Sequence, residues 1–549
     1  MPAKISYFQQ MGELFQNGKT FGQYLEENSA KNSEKVIIIY EDQQYTYRSF
    51  NEAVDNLALC LIDQGFKKGD IIGLCLPDLP EYSIMYYACA KIGVATSPIS
   101  PRYREKEFIM MLGHSGAKGA MLPKEWGGFD YVNMFKNIRS SLPSLKYLFV
   151  KGSETMEKDT PGFVNLEEVM AKDWKEKYQD NYLHDVYLKE NSIDGDTLLE
   201  VAYTSGTTGA PKGAMHTHNT RAAASFLNAR RWGSTPNDVM LLMAPLAHAT
   251  GNAHAQNSAI LVGHTVVYTG AYNPETALKA IERFKVTVPI GVPAMYIGIM
   301  SHPDFDKYDV SSVRGAWSGG AAAPVEVARK ITEVFGCKFM SGYGTTECAG
   351  NHFTYPDDSI EVACSTVGPP LDTMEVKIVD PEGNTVPLGV AGEVCARGVT
   401  RLIGYYKNPE ATADAIDDRG WFHSGDLGVI DEKGYLQIVG RIKDMIVRGG
   451  ENIYASEIEE LLYTHPDVLE AHVVGYPDDV LGERTCAFII SQKEGKTFTR
   501  DEIVTLFTGK IAKYKIPDRV ETVSQLPLTP SGKVKKFVLR KEAAELLKT

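Results

Sequence analysis

Tyr203-Thr204-Ser205-Gly206-Thr207-Thr208-Gly209-Ala210-Pro211-Lys212-Gly213 follows an apolar run, Leu198-Leu199-Glu200-Val201-Ala202, that reads as a strand. The glycines let a backbone approach an anion without Cβ interference. Thr204, Ser205, Thr207 and Thr208 add hydroxyl donors, and Lys212 supplies a point charge for phosphate oxygens. The stretch reads as a phosphate loop but not as a Walker A loop. That motif has glycine directly before its lysine and serine or threonine directly after it, whereas Pro211 and Gly213 stand there in this chain. An ordinary turn needs one or two such residues, not a dense run of donors ending in a cation.

The full string resembles the signature loop of the adenylate-forming superfamily, which includes acyl- and aryl-CoA synthetases, firefly-type luciferases and the adenylation domains of nonribosomal peptide synthetases. The resemblance implies ATP, Mg²⁺ and a carboxylic acid.

Working outward, the 549 residues and 43% apolar content allow a large core and more than one domain. The net charge of −13 argues against nucleic-acid or anionic-membrane binding, which need a basic face. Residues 441–549 carry 17 basic and 17 acidic side chains, so the whole excess lies in the first 440. Eight scattered cysteines with no CxxC pair and no His–Cys cluster at zinc spacing read as reduced thiols in a cytoplasmic protein. No signal-peptide core and no membrane-length apolar run occurs. A homo-oligomer is compatible with the sequence.

Helical stretches alternate with short apolar runs over residues 20–120, as in Ser49–Gln64, Asp70–Leu76 and Pro80–Ile92, and this order predicts parallel strands covered by helices. Residues 121–195 are more charged and irregular. The β-α-β rhythm returns after the phosphate loop, with strands expected at 239–244, 265–268, 286–290 and 313–317. Between 365 and 440, Gly-, Pro- and Asp-punctuated extended runs predict antiparallel strands. A boundary is expected near Gly440, before a compact α+β segment. The expected fold is therefore α/β: a large N-terminal domain (1–440) of β-α-β sheets with a small barrel-like β subdomain, and a small mobile α+β C-terminal domain (441–549).

Further motifs supply the remaining parts of adenylation chemistry, in which two anions must meet while pyrophosphate departs. Ser341-Gly342-Tyr343-Gly344-Thr345-Thr346-Glu347 offers an aromatic face, hydroxyl donors and a carboxylate. The resemblance gives adenine stacking to Tyr343, α-phosphate contact to Thr346 and Mg²⁺ to Glu347, with Gly342, Gly344 and Thr345 beside them. Ser318-Gly319-Gly320-Ala321-Ala322-Ala323 reads as a tight strand-to-helix turn that a flat ligand can approach. Asp426, in a glycine-rich turn, and Arg441 match the family's ribose contacts, and Ile438 belongs to the same nucleotide site. Lys533, after Pro527-Leu528-Thr529-Pro530-Ser531-Gly532, matches the lysine that contacts the substrate carboxylate and α-phosphate. In CoA-forming relatives the small domain then rotates. Lys443 matches that hinge, and Gly449 and Gly450 match the face presented to pantetheine, which makes coenzyme A the second co-substrate.

His248, in Pro245–Gly251, matches the residue bordering the acyl site. No carboxylate lies between Asp238 and Glu275 to pair with an amino acid's ammonium group, so an uncharged tail is favoured. Acetyl-type relatives carry Trp where Gly344 stands. With Ala249, Ala253 and Ala321–Ala323 also small, the expectation is a pocket for a medium-chain, alicyclic or aromatic acid. The leading reading is thus an AMP-forming acid–thiol ligase (acyl-CoA synthetase). The alternatives are an adenylating enzyme that hands its acyl group to a carrier protein and a non-catalytic nucleotide-binding regulator.

Overall fold

The computed structural model describes residues 18–152, 162–178, 182–204, 211–320, 323–529 and 533–546. Two eight-stranded sheets dominate. The first runs in the order His352–Phe353, Lys338–Tyr343, Gly315–Gly319, Val288–Gly291, Val239–Leu242, Thr265–Tyr268, Val36–Tyr40, Gln43–Thr46. Its six inner strands are parallel, and each edge strand is antiparallel. The second runs Gly404–Tyr405, Gly213–Thr217, Leu198–Tyr203, Ala95–Pro98, Ile71–Leu74, Gly119–Pro123, Tyr147–Lys151, Phe163–Asn165. Its six consecutive parallel strands are extended at one edge by two strands joined through antiparallel pairings, of which only Gly213–Thr217 runs against the rest. The irregular-looking residues 121–195 supply two strands of this sheet and the end of a third, and the helices Tyr131–Ile138 and Leu166–Ala171.

Strand alternation divides the core into layers. In the first sheet Ile38, Met240, Leu242 and Val266 face a central cluster shared with Ile72, Leu74, Met121 and Leu199 of the second. Their neighbours Ile39, Leu241 and Val267 face an outer cluster under the helices Pro274–Phe284, Pro293–Met300 and Val325–Phe335. Period-two alternation between two buried faces is what helix-covered parallel sheets require.

The helix Pro80–Ile92, which contributes to the central cluster, is correspondingly buried all round. Every residue of Pro80–Ile92 except Glu81 is buried. Its one interior cation, Lys91, is paired with Glu26 at 2.8 Å and Asp55 at 2.6 Å, which satisfies an ammonium that would otherwise be costly to bury. Pro80 at the first helical position and Gly93 in the left-handed region (φ +70°) set its ends.

The region expected to be barrel-like is an open four-stranded antiparallel sheet, in the order Met374–Val379, Gly392–Gly398, Phe422–Ile430, Leu436–Arg441. Strands of this number and length bury one face on a small apolar cluster around Ile378, Val394 and Leu436 without closing. After Arg441 a five-stranded sheet (446–448, 451–453, 468–478, 482–491 and 519–522) carries three helices and apolar clusters of its own. Among the described residues, no helix is long and apolar enough to cross a membrane.

Candidate functional site

The strands of the first sheet end around one cleft, where ligands bind open parallel sheets. Gly315–Gly319 and Lys338–Tyr343 are parallel neighbours in register, Ser318 beside Ser341 and Gly319 beside Gly342. Their ends bring Gly320 together with Gly342, Tyr343, Gly344, Thr345 and Thr346. Gly320 lies in the left-handed region (φ +80°), which turns the chain from strand toward the helix Val325–Phe335. A Cβ at Gly342 would stand 2.0 Å from the Phe353 ring, so only glycine fits there.

Gly344 differs from the sequence expectation. A Cβ there would meet Gly350 N at 2.3 Å and Cys348 O at 2.7 Å. The glycine lets the Thr345–Gly350 turn close on itself and opens no acyl space. Among the other small residues, Ala249 borders the cleft, and Ala253 is packed against Ala224 and Ala349.

The second sheet contributes the phosphate loop, a hairpin connection between antiparallel Leu198–Tyr203 and Gly213–Thr217. The Thr204 N–H donates to Lys212 O at 2.9 Å and closes its base. Ser205, Gly206, Thr207, Thr208, Gly209, Ala321 and Ala322 lie outside the described residues. Lys212 Nζ lies 5.2 Å from the centre of the Tyr405 ring, and the Tyr405 hydroxyl donates to Glu347 Oε1 at 2.8 Å. This path ties the loop's cation to the carboxylate on the opposite wall.

Thr346 is held by its carbonyl, 2.9 Å from His216 Nε2. A cleft of about 450 Å³ collects Thr204, His248, Thr345, Thr346, Glu347, Asp426, Arg441, Lys443 and Lys533, a volume typical of small-molecule sites (~300–1,000 Å³). Asp426 is 4% exposed. It accepts the Tyr343 hydroxyl at 2.7 Å and Arg441 Nε at 2.9 Å. Burial and the Asp426 carboxylate hold the Tyr343 phenol well above its ordinary pKa, so it stays a donor.

Lys533 arrives from the C-terminal segment. Thr529 and Lys533 exchange backbone and hydroxyl hydrogen bonds, and a bridge pairs Leu528 with Val534. Its Cε comes within 3.6 Å of where a Cβ on Gly320 would stand. Desolvation, then the Arg441 guanidinium, push the Lys533 pKa down to about 8, against the opposing pull of Asp426 and Glu347. His248 Nδ1 accepts the Thr250 N–H at 3.2 Å, which leaves the proton on Nε2. Burial and then Lys533 push its pKa down to about 3, so the ring is neutral. Burial and then Arg441 lower the Lys443 ammonium as well.

Beyond Lys533 a recess of about 40 Å³ is bordered by Ala249, Thr250, His254, Trp317 and Phe353. Ile438 packs in the apolar cluster beneath Tyr343 and is not among the residues lining the cleft. Gly449 and Gly450, both in the left-handed region, also stand outside it in this arrangement. Sequence reasoning missed Tyr405, which nothing near Gly404 announces. It also missed Asp78, a buried carboxylate that accepts the Leu246 N–H at 2.8 Å and anchors the segment leading to His248. Desolvation pushes the Asp78 pKa up to about 7.

With this geometry the chain belongs to the AMP-binding enzyme family, whose profile matches residues 25–406; the profile of that family's C-terminal domain matches residues 457–533. Among its relatives are the putative acyl-CoA synthetase YngI of Bacillus subtilis, 35% identical over 98% of this chain and 99% of that one, and the medium-chain fatty-acid–CoA ligase of Escherichia coli, 33% identical over 94% and 89%. Among solved structures, the anthranilate CoA ligase AuaEII in complex with anthranoyl-AMP superposes with a TM-score of 0.87 at 26% identity, covering 97% of this chain and 99% of its own.

Proposed function

We propose that this protein is an ATP-dependent, AMP-forming carboxylic acid:CoA ligase. The observation that carries the reading is that Lys533 lines the same cleft as Glu347, Thr346 and the Asp426–Arg441 pair, although it lies almost 190 residues after Glu347. The donor set fits the expected ligands. The hard oxygen ligand Glu347 suits Mg²⁺, which would neutralise phosphate charge. Thr345, Thr346, Lys212 and Lys533 suit phosphate oxygens, and Asp426 suits a ribose diol.

In the first half-reaction a substrate carboxylate oxygen attacks the α-phosphorus, forming acyl-AMP and releasing pyrophosphate. Lys533 draws the two anions together, and Tyr343 presents its ring to adenine. In the second the CoA sulfur attacks the acyl carbonyl and AMP leaves. Neutral His248 borders the acyl end without adding a repelling charge. We assign residues 1–440 and 441–549 to two units that reorient about Lys443 between the half-reactions, bringing Gly449 and Gly450 to the pantetheine path. A cytoplasmic setting suits the free cysteines.

The acid is a medium-chain, alicyclic or aromatic monocarboxylate, in line with the names of the relatives. The acyl tail would lie toward the recess bordered by Ala249, His254, Trp317 and Phe353.

The test is pyrophosphate release with ATP and Mg²⁺ across acetate, hexanoate, benzoate and cyclohexanecarboxylate, each with and without CoA. Turnover requiring both a larger acid and CoA is the expected result. Acetate as best substrate overturns the acid class. Release indifferent to CoA indicates a carrier-protein acceptor, and no release with any acid favours a nucleotide-binding regulator.

A further inference from the structure

The turn that carries Asp426 rests on a cluster the adenylation chemistry does not use. On Gly392–Gly398 the register against Phe422–Ile430 shifts between Glu393, opposite Leu427, and Cys395, opposite His423. Two residues on one strand thus span four on the other. The extra length forms the Ser424–Asp426 turn, which projects into the cleft.

Beneath this bulge Glu393, Cys395 and His423 converge. His423 Nδ1 lies 2.8 Å from Glu393 Oε2 and 3.4 Å from Cys395 Sγ. Among the described residues, no other three His, Cys, Asp or Glu side chains bring ligand atoms within 4.8 Å of one another.

We propose that Glu393, Cys395 and His423 form a binding site for a borderline-soft divalent cation, Zn²⁺ above all, at the base of the Asp426 turn. Thiolate, imidazole and carboxylate are zinc's three ligand types, and zinc ligands at ~2.0–2.3 Å stand ~3–4 Å from one another. The sulfur–nitrogen separation already meets that spacing, and the Glu393–His423 contact needs only to open slightly. Three protein ligands leave a fourth position for water. The thiol and the imidazole set this site apart from Glu347, whose oxygen ligation suits Mg²⁺.

Cys395 is fully buried, while the Glu393 and His423 side chains keep 19% and 29% of their exposure, so a hydrated ion can enter from that side. Burial and Glu393 hold the Cys395 thiol up to about 12. Metal binding therefore releases the thiol proton to solvent, and the imidazole proton moves to Nε2 as Nδ1 becomes the ligand.

Occupancy has a consequence for catalysis that rests on the ribose role of Asp426. Glu393 Oε1 accepts the Gly425 N–H at 2.9 Å and so fixes the turn. Recruiting that carboxylate to a cation loosens the bond, and nucleotide binding weakens. Zn²⁺ thus acts as an inhibitor from a site outside the cleft.

The experiment uses chelator-treated full-length protein with Co²⁺ or Zn²⁺ alone, without acid or nucleotide. One equivalent of Co²⁺ should produce a thiolate-to-cobalt charge-transfer band. Cys395→Ser should abolish it, and His423→Gln, at a partly exposed position, should weaken affinity at least about tenfold. Zn²⁺ should raise the KM for ATP in the parent protein and not in Cys395→Ser. Absence of the band at stoichiometric Co²⁺, or its persistence in Cys395→Ser with an unchanged melting curve, overturns the proposal. Because the band is read without turnover, failure of the ligase reading leaves this result standing, and the reverse.

Discussion

Both large sheets have eight strands, six of them consecutive and parallel, yet they meet the cleft in different ways. The first places its antiparallel strands one at each edge and offers the ends of its inner strands, where Gly319, Gly342 and Gly344 are fixed by close contact. The second adds Gly213–Thr217 and then Gly404–Tyr405 at one edge through successive antiparallel pairings, and its contribution is the hairpin loop between Leu198–Tyr203 and Gly213–Thr217. A Walker-type loop enters a helix and gains its N-terminal dipole for phosphate binding. This loop enters a strand, which has almost no dipole to offer. On its proposed role in phosphate binding, hydroxyls and Lys212 supply what the helix would have given, which accounts for a sequence so dense in side-chain donors.

The contrast predicts where substitutions act. Lys533, which belongs to neither sheet, should show the largest effect: Lys533→Ala is expected to slow adenylation by ~10²–10³-fold, the scale of losing one preorganised charge-stabilising donor. Thioester formation from supplied acyl-AMP should change far less, and single-turnover measurements of each half-reaction check this. The same residue gives a pH signature. A lysine is cationic below its pKa, and that of Lys533 is lowered to about 8. For the free enzyme kcat/KM should therefore hold below about pH 8 and fall above it, and the limb should vanish in Lys533→Ala.

Next comes the hairpin. Lys212→Ala should raise the KM for ATP by roughly ten- to a hundredfold, the ~1.5–3 kcal/mol of a charged hydrogen bond, with the melting temperature unchanged. Gly342→Ala should do the opposite, because its methyl is driven into the Phe353 ring. Thermal unfolding should report a loss of ~1–3 kcal/mol. Equal stability losses from Lys212→Ala and Gly342→Ala would erase the distinction between the sheets. The smallest effect is expected at their junction. Tyr405→Phe, which frees Glu347 from its hydroxyl donor, should cost ~0.5–1.5 kcal/mol, read as a raised Mg²⁺ requirement.

Much of this was legible in the sequence. Pro80 and Gly93 bracket a helix whose limits the structure reproduces, and the apolar runs expected at 239–244 and 265–268 contain the inner strands Val239–Leu242 and Thr265–Tyr268. Period and punctuation carry such information because they act locally. Tertiary geometry was less legible. Gly344 read as missing bulk, but only the fold shows its Cβ direction pointing into backbone. The short apolar runs after 365 could not say whether their sheet closes. Tyr405 and the Glu393–Cys395–His423 cluster depend on strand pairings and a register shift that no spacing rule encodes.

The position of Lys533 also has a meaning for biosynthesis. Of the residues that line the cleft it is the last in chain order, and it sits on a segment packed by apolar clusters separate from those of the two large sheets. Domains fold largely in the order in which the ribosome delivers them. On its proposed role, a growing polypeptide could hold nucleotide well before it could activate an acid. Release of reactive adenylate by unfinished chains is thereby avoided through the order of translation alone.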